Sequence, residues 1–219
     1  MRNYRLKRIV FGIIRKSFVI LFLICIAGYI PGLKEKFLSI VDVSSPVVES
    51  SFVSEEGWEN YSQLDSLGRV GEATALLHKS MMPTVERESI ADVKPSGWHT
   101  IRYDDLIEDK YLYNRCHLIG YQLTGQNANP LNLVTCTRAC NLNMVPYENE
   151  VASYLRLTGN HIEYRVTPNF EGDNLVASGI TIEAHSVEDD VINFTVYIPN
   201  EQPGIGINYS NGDSWTLSE

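Results

Sequence analysis

The chain has 219 residues, 44% hydrophobic and 21% charged, enough for one sizeable domain plus accessories and too apolar for wholesale disorder. Net charge is −9 but uneven: residues 1–36 carry eight of the 18 Lys+Arg and one of the 27 Asp+Glu, leaving 10 basic against 26 acidic residues beyond. Residues 166–219 contain no Lys or Arg, which excludes a broad basic surface for gripping nucleic acid; any such chemistry must use a local cationic site.

Arg2, Arg5, Lys7, Arg8, Arg15 and Lys16 precede an uncharged run of 14 residues, Ser17 to Ile30, closed by Pro31-Gly32. A signal-peptide core needs about 7–15 apolar residues and a spanning helix about 20. By length the run is a signal sequence; lacking a clear small-x-small cleavage site, it also fits an uncleaved membrane anchor. Either way the basic flank stays inside and the remainder is expected outside the cytoplasm. Residues 33–60 mix Ser, Pro and acidic residues without periodicity and read as a linker. The expected organisation is 1–32 basic flank plus signal or transmembrane segment, 33–60 linker, and 61–219 the functional domain.

Within the domain, residues 70–77 favour a strand, although their alanines also suit a helix. Residues 84–94 are polar and irregular. Trp98 to Tyr103 alternates as a strand does. Tyr111 to Leu123 forms the first arm of a β-excursion, the turn formers Thr124 to Pro130 reverse it, and Leu131 to Thr135 is the second arm. Proline is welcome at a first helical position and disruptive inside a helix. The reading is therefore a first turn over 137–143, then a helix from Pro146 to about Leu157 stopped by Gly159. Strands are expected at 161–166, 175–184 and 191–198, the last two forming a hairpin, before an irregular tail from Pro203. The class is α+β: an antiparallel sheet with a ββα insertion.

The insertion carries the chemistry. Asn114-Arg115-Cys116-His117 packs a carboxamide, a fixed cation and a titratable ring into four residues, and Asn141 follows the second arm. Phosphodiester hydrolysis needs a base to activate water and a cation beside the leaving oxygen. His117 suits the first task, with an unperturbed pKa of about 6.5. Asn141 offers an oxygen to Mg²⁺, which keeps most of its waters. Arg115 can neutralise a phosphate or brace the site.

These blocks resemble the DNA/RNA non-specific endonuclease family, whose fold is the ββα-metal (His-Me) finger and whose common motif reads Asp-Arg-Gly-His. A subset of bacterial secreted DNases is more similar. It shares Asn-Arg-x-His-Leu-Ile (here Asn114 to Ile119), Asn-Leu-Val-Thr-x-Thr-Arg (Asn132 to Arg138) and a following Asn (Asn141). The similarity runs from about Leu64 to Trp215. It implies a metal-dependent endonuclease acting on DNA, with RNA left open; in-line attack by water that His117 deprotonates, with the 3′-oxygen departing, is expected to give 5′-phosphate ends. It also implies Mg²⁺ or Mn²⁺ as cofactor, His117 as general base, Asn141 as the metal residue and Arg115 as the motif arginine. Glu148 matches an acidic residue acting around the metal's water shell. In an unbroken helix Asn141 and Glu148 share a face about 10 Å apart along the axis, too far for both to hold one small ion directly. Two residues depart from the common motif: Asn114 stands for Asp, and Cys116 for Gly.

Cys116, Cys136 and Cys140 support a rival. With His117 they make a Cys₃His zinc set; alternatively, in an oxidising exterior, they make one disulfide and one free thiol, pairing open. The corresponding alternative function is a zinc- or disulfide-stabilised, surface-anchored binding domain without catalysis. His78, His99, His161 and His185 lack a constellation, and no protein partner is inferred.

Overall fold

Residues 56–218 are described by a computed structural model. The basic flank, the apolar run and most of the expected linker lie outside them. In chain order the strands are β1 (Trp58–Tyr61), β2 (Ala73–Leu77), β3 (Tyr113–His117), β4 (Leu133–Thr137), β5 (Ile162–Asn169), β6 (Gly179–Ser186), β7 (Asn193–Pro199), β8 (Ile205–Ile207) and β9 (Ser214–Thr216). The α-helices are α1 (Tyr121–Thr124) and α2 (Arg138–Thr158). Among the described residues no helix is long and apolar enough to cross a membrane.

Five strands make the main antiparallel sheet, in the order β1-β2-β5-β6-β7. Strict alternation in β2 and β5 turns Ala73, Ala75, Leu77, Ile162, Tyr164 and Val166 to one face. There they bury against Val151, Ala152 and Leu155 of α2 and against Ile180, Ile182 and Ala184 of β6. This is the α+β antiparallel core the sequence implies. The sheet also takes in Trp58, Glu59 and Asn60, which the sequence reading assigns to the linker; β1 pairs with β2 from Trp58↔Leu76 onward.

The ββα unit lies outside this sheet. β3 and β4 pair only with each other, in the register Tyr113↔Thr137 to His117↔Leu133. The first arm ends at His117 rather than Leu123, the chain turning through α1 instead. The second arm starts two residues later than expected, because Pro130–Asn132 forms a 3-10 turn capped by the Asn129 side chain. Buried Asn132 then clasps Ile119, accepting from its N–H at 2.9 Å and donating to its carbonyl at 3.0 Å.

A disulfide joins Cys116 to Cys136 across the two strands, with Cα atoms 5.9 Å apart, and Cys140 is a buried free thiol. The bond consumes two of the three sulfurs that a Cys₃His zinc set requires. Among the described residues no group of three or more His, Cys, Asp or Glu is placed to hold a metal.

Pro146 does not divide the helix. α2 is continuous over 21 residues, capped by the Thr137 side chain, which accepts from the Cys140 N–H at 3.0 Å. The proline lies on the exposed face, so the Leu142 carbonyl it leaves without an N–H partner can be hydrated. Gly159, at φ 73°, ends the helix in the left-handed conformation.

Three other expectations differ from what the structure shows. Residues 98–103 make a single bridge, Arg102↔Tyr111, because the chain opposite turns at Lys110 (φ 69°) and is committed to β4 from Tyr113 onward. Their apolar side chains instead cover a small second core of Ile107, Leu112, Tyr113 and Ile205. Residues 175–178 precede β6 without joining it, Val176 bonding to Tyr209 instead. The tail forms β8 and β9, where Gly206 leaves room for the Trp215 ring to lie on the backbone.

The Cys116–Cys136 bond closes a loop with a sequence separation of 20 residues. Replacing both cysteines by alanine should cost about 2–4 kcal/mol of unfolding free energy, read from urea denaturation under non-reducing conditions.

Candidate active site

β3 exposes one edge of its side chains to a cleft of about 760 Å³, whose other wall is α2. Strand alternation sends Cys116 into the core and turns its neighbour His117 toward the cleft. On α2, Arg138, Asn141, Val145 and Glu148 recur at helical spacing and line the same cleft. The four residues expected to carry chemistry, His117, Arg115, Asn141 and Glu148, are thus brought together, with Asn114 beside them.

His117 is 7% exposed. Its Nε2 lies 2.8 Å from the Asn127 carbonyl, which can only accept, so Nε2 carries the hydrogen and Nδ1 of the neutral ring keeps its lone pair. Nδ1 receives a long contact, 3.4 Å, from the Arg87 guanidinium. Burial is the main force that pushes the ring's pKa down to about 4; the bond to Asn127 opposes it and the Arg87 charge reinforces it. The ring is therefore neutral at neutral pH.

Glu148 moves the other way. Burial raises its carboxyl to about 7, against smaller lowering contributions from Gln122 and Arg87. The carboxyl rests on Gly120: a β-carbon there would meet its atoms at 2.9–3.0 Å. Such a partly buried acid lacks a full counter-charge, and with the carboxamide of Asn141 it makes an oxygen donor set. That set fits a hard divalent cation that keeps its waters.

Arg115 is already occupied. It donates to the Val93 carbonyl, and to the Ala91 carbonyl at 2.7 Å, and lies 3.9 Å over the Trp98 ring. It thereby pins one end of the segment that bears Arg87. Tyr121 donates to the Val85 carbonyl at 3.0 Å, and Asn127 donates to that of Glu88 at 3.0 Å.

Sequence reasoning missed Arg87, Asn127 and the role of Gly120. Arg87 stands in an aperiodic polar stretch, Asn127 among turn formers, and each acts through a contact distant in sequence. At the far end of the cleft Arg138 is ion-paired with Asp109.

The family model for DNA/RNA non-specific endonucleases matches residues 49–188. Among solved structures, NucA from Streptococcus agalactiae with a magnesium ion bound is similar at 26% identity and a TM-score of 0.67, over 75% of this chain and 82% of that one. The same protein with no metal bound gives 26% and 0.65, over 74% and 79%. Sda1 nuclease with a bound zinc ion gives 26% and 0.60, over 74% and 82%.

Two outcomes are expected. With its carboxyl raised to about 7, folded Glu148 holds between about pH 4.5 and 7 a proton that the unfolded chain releases, so its contribution to stability falls as pH rises through that window. In EDTA, Glu148→Gln should melt above the parent at pH 8 and alongside it at pH 4; a divalent cation should narrow the gap at pH 8. Gly120→Ala should displace the Glu148 carboxylate, lowering nuclease rate while leaving the melting temperature within a few degrees, as followed by DNA cleavage and calorimetry.

Proposed function

The chain belongs to the DNA/RNA non-specific endonuclease family and is an endonuclease, the match spanning well over half its length; on that premise we propose that it hydrolyses DNA phosphodiesters outside the cytoplasm, with His117 as general base. Whether RNA is also cut is a matter for the same assay. The observation that carries this reading is the His117 ring: buried, neutral, its tautomer held by Asn127, on the wall of a cleft shared with Asn141 and Glu148.

His117 accepts a proton from water at Nδ1, while Nε2–H stays on the Asn127 carbonyl and steadies the imidazolium that results. Arg87 gives a phosphate group a cation beside that nitrogen. A phosphate oxygen is a stronger acceptor than a 3.4 Å contact to an imidazole, so substrate draws the guanidinium off Nδ1 and leaves it free for water. When bound, Mg²⁺ (or Mn²⁺) supplies charge for the crowded phosphate and the departing 3′-oxygen, with Asn141 as its residue and Glu148 acting on its water shell. In-line attack with the 3′-oxygen leaving gives 5′-phosphate ends. Arg115 is a positioning residue, tying the Arg87-bearing segment to β3. The domain beyond residue 36 is acidic, 10 basic against 26 acidic residues, so attraction for substrate is local and sequence discrimination low. Export through the N-terminal apolar run, cleaved or kept as an anchor, suits this role.

Incubation of the purified chain with plasmid DNA and Mg²⁺ tests the reading. Cleavage should stop in EDTA. His117→Ala should lose about 10²–10⁴-fold in rate with folding intact, and Asn141→Ala should fall comparably. Intact plasmid with both Mg²⁺ and Mn²⁺ would sink the proposal, and 3′-phosphate ends would reverse the assigned direction of attack. Protection of residues 60–219 from added protease in intact cells would contradict the exterior location.

A further inference from the structure

The cleft is longer than the chemistry needs. β3 and α2 run alongside one another: at one end Arg138 N–H donates to the Leu112 carbonyl at 2.8 Å, and at the other Glu148 lies on Gly120. Between Arg138 and Glu148 the helix rises about 15 Å, and the strand side from Tyr111 to His117 spans roughly 20 Å. A stacked strand advances roughly 3.4 Å per nucleotide, so substrate cut at His117 extends past the far end.

That end is lined by Thr100, Asp109, Tyr111 and Arg138. Tyr111 is 45% exposed on the cleft wall; the Arg102 guanidinium lies over one face of its ring, 5.4 Å from the centroid, so stacking by a base falls to the opposite face. Arg138 is ion-paired with Asp109, their side chains 29% and 53% exposed. The cations that a duplex backbone would demand are thus largely committed, Arg115 to carbonyls and Arg138 to an acid, in a domain whose surplus charge is negative. A ring that offers its face to a base needs no phosphate charge, but it needs a base that is not buried in a duplex stack.

Resting on the nuclease reading of this cleft, we infer that its far end is a stacking subsite for an unpaired nucleotide, with the base on Tyr111. Asp109 restrains Arg138 and so disfavours duplex. The preferred substrate is single-stranded nucleic acid, or a locally unpaired stretch of duplex.

The test measures binding of the full chain to fluorescent oligothymidylate and to a blunt duplex of equal length, by anisotropy in EDTA, over a series of salt concentrations. Tyr111→Ala should weaken single-strand binding about tenfold and barely move duplex binding, and Tyr111→Trp should restore it. Asp109→Asn should tighten duplex binding and steepen its logarithmic salt dependence by about one. Equal loss on both substrates, no loss on either, or no rescue by Tyr111→Trp overturns the stacking subsite. An unchanged salt slope in Asp109→Asn overturns the restraint on Arg138. Because EDTA stops turnover, these readings are separate from cleavage: a parent chain that binds but never cuts with Mg²⁺ defeats the nuclease reading alone.

Discussion

The pairing of β3 with β4 is the constraint from which the cleft follows. β4 ends at Thr137 and α2 begins at Arg138, so no loop intervenes between the ladder and the helix. The register that sets His117 opposite Leu133 therefore also sets where the helical stripe of Asn141 and Glu148 begins. A slip of one residue would turn His117 into the core and Cys116 into the cleft, since strand faces alternate with period two. The Cys116–Cys136 bond and the clasp of Asn132 on Ile119 oppose that slip from the core side and from the turn.

Burial acts on His117 and on Glu148, and each is driven toward its uncharged form: the imidazole toward the free base, the carboxyl toward the acid. For the imidazole this is the proton-accepting form. For the carboxyl it leaves a demand for positive charge. The cleft's charge then comes from Arg87, Arg115 and Arg138 against Asp109, although the surrounding domain is acidic. What attracts phosphate is close at hand and small in number, chiefly Arg87 on its exposed segment.

Legibility divided along the range of the interactions. The motif Asn114 to His117 and the seven-residue step from Asn141 to Glu148 are local patterns, and Asn114, Arg115, His117, Asn141 and Glu148 all line the cleft. The antiparallel core was legible for the same reason, from alternation in β2, β5 and β7. Pro146 misled because a rule about helix interiors carries no information about which face the proline occupies; here that face meets solvent. Residues 98–103 misled because alternation marks a surface to bury, and a small core serves as well as a ladder. Arg87 carried no pattern: its contact with His117 bridges 30 residues of sequence and depends on carbonyls in the segment between. Cys116, adjacent to the base in sequence, is on the opposite face of the strand from it, bonded to Cys136.

The edge strand β1 has a consequence for how the domain should be cut. Glu59 accepts from Gln126, and Gln126 adjoins Asn127, whose carbonyl holds the His117 tautomer. Tyr61 closes the same cluster, donating to Glu59 at 3.1 Å. A fragment started at residue 61 would keep every residue of the cleft and most of the core. It would lose the outer strand of the sheet and the brace behind the loop that orients the base. Such a protein could express, fold and look intact by circular dichroism while working as a poorer enzyme, and the cause would lie on the far side of the loop from the chemistry.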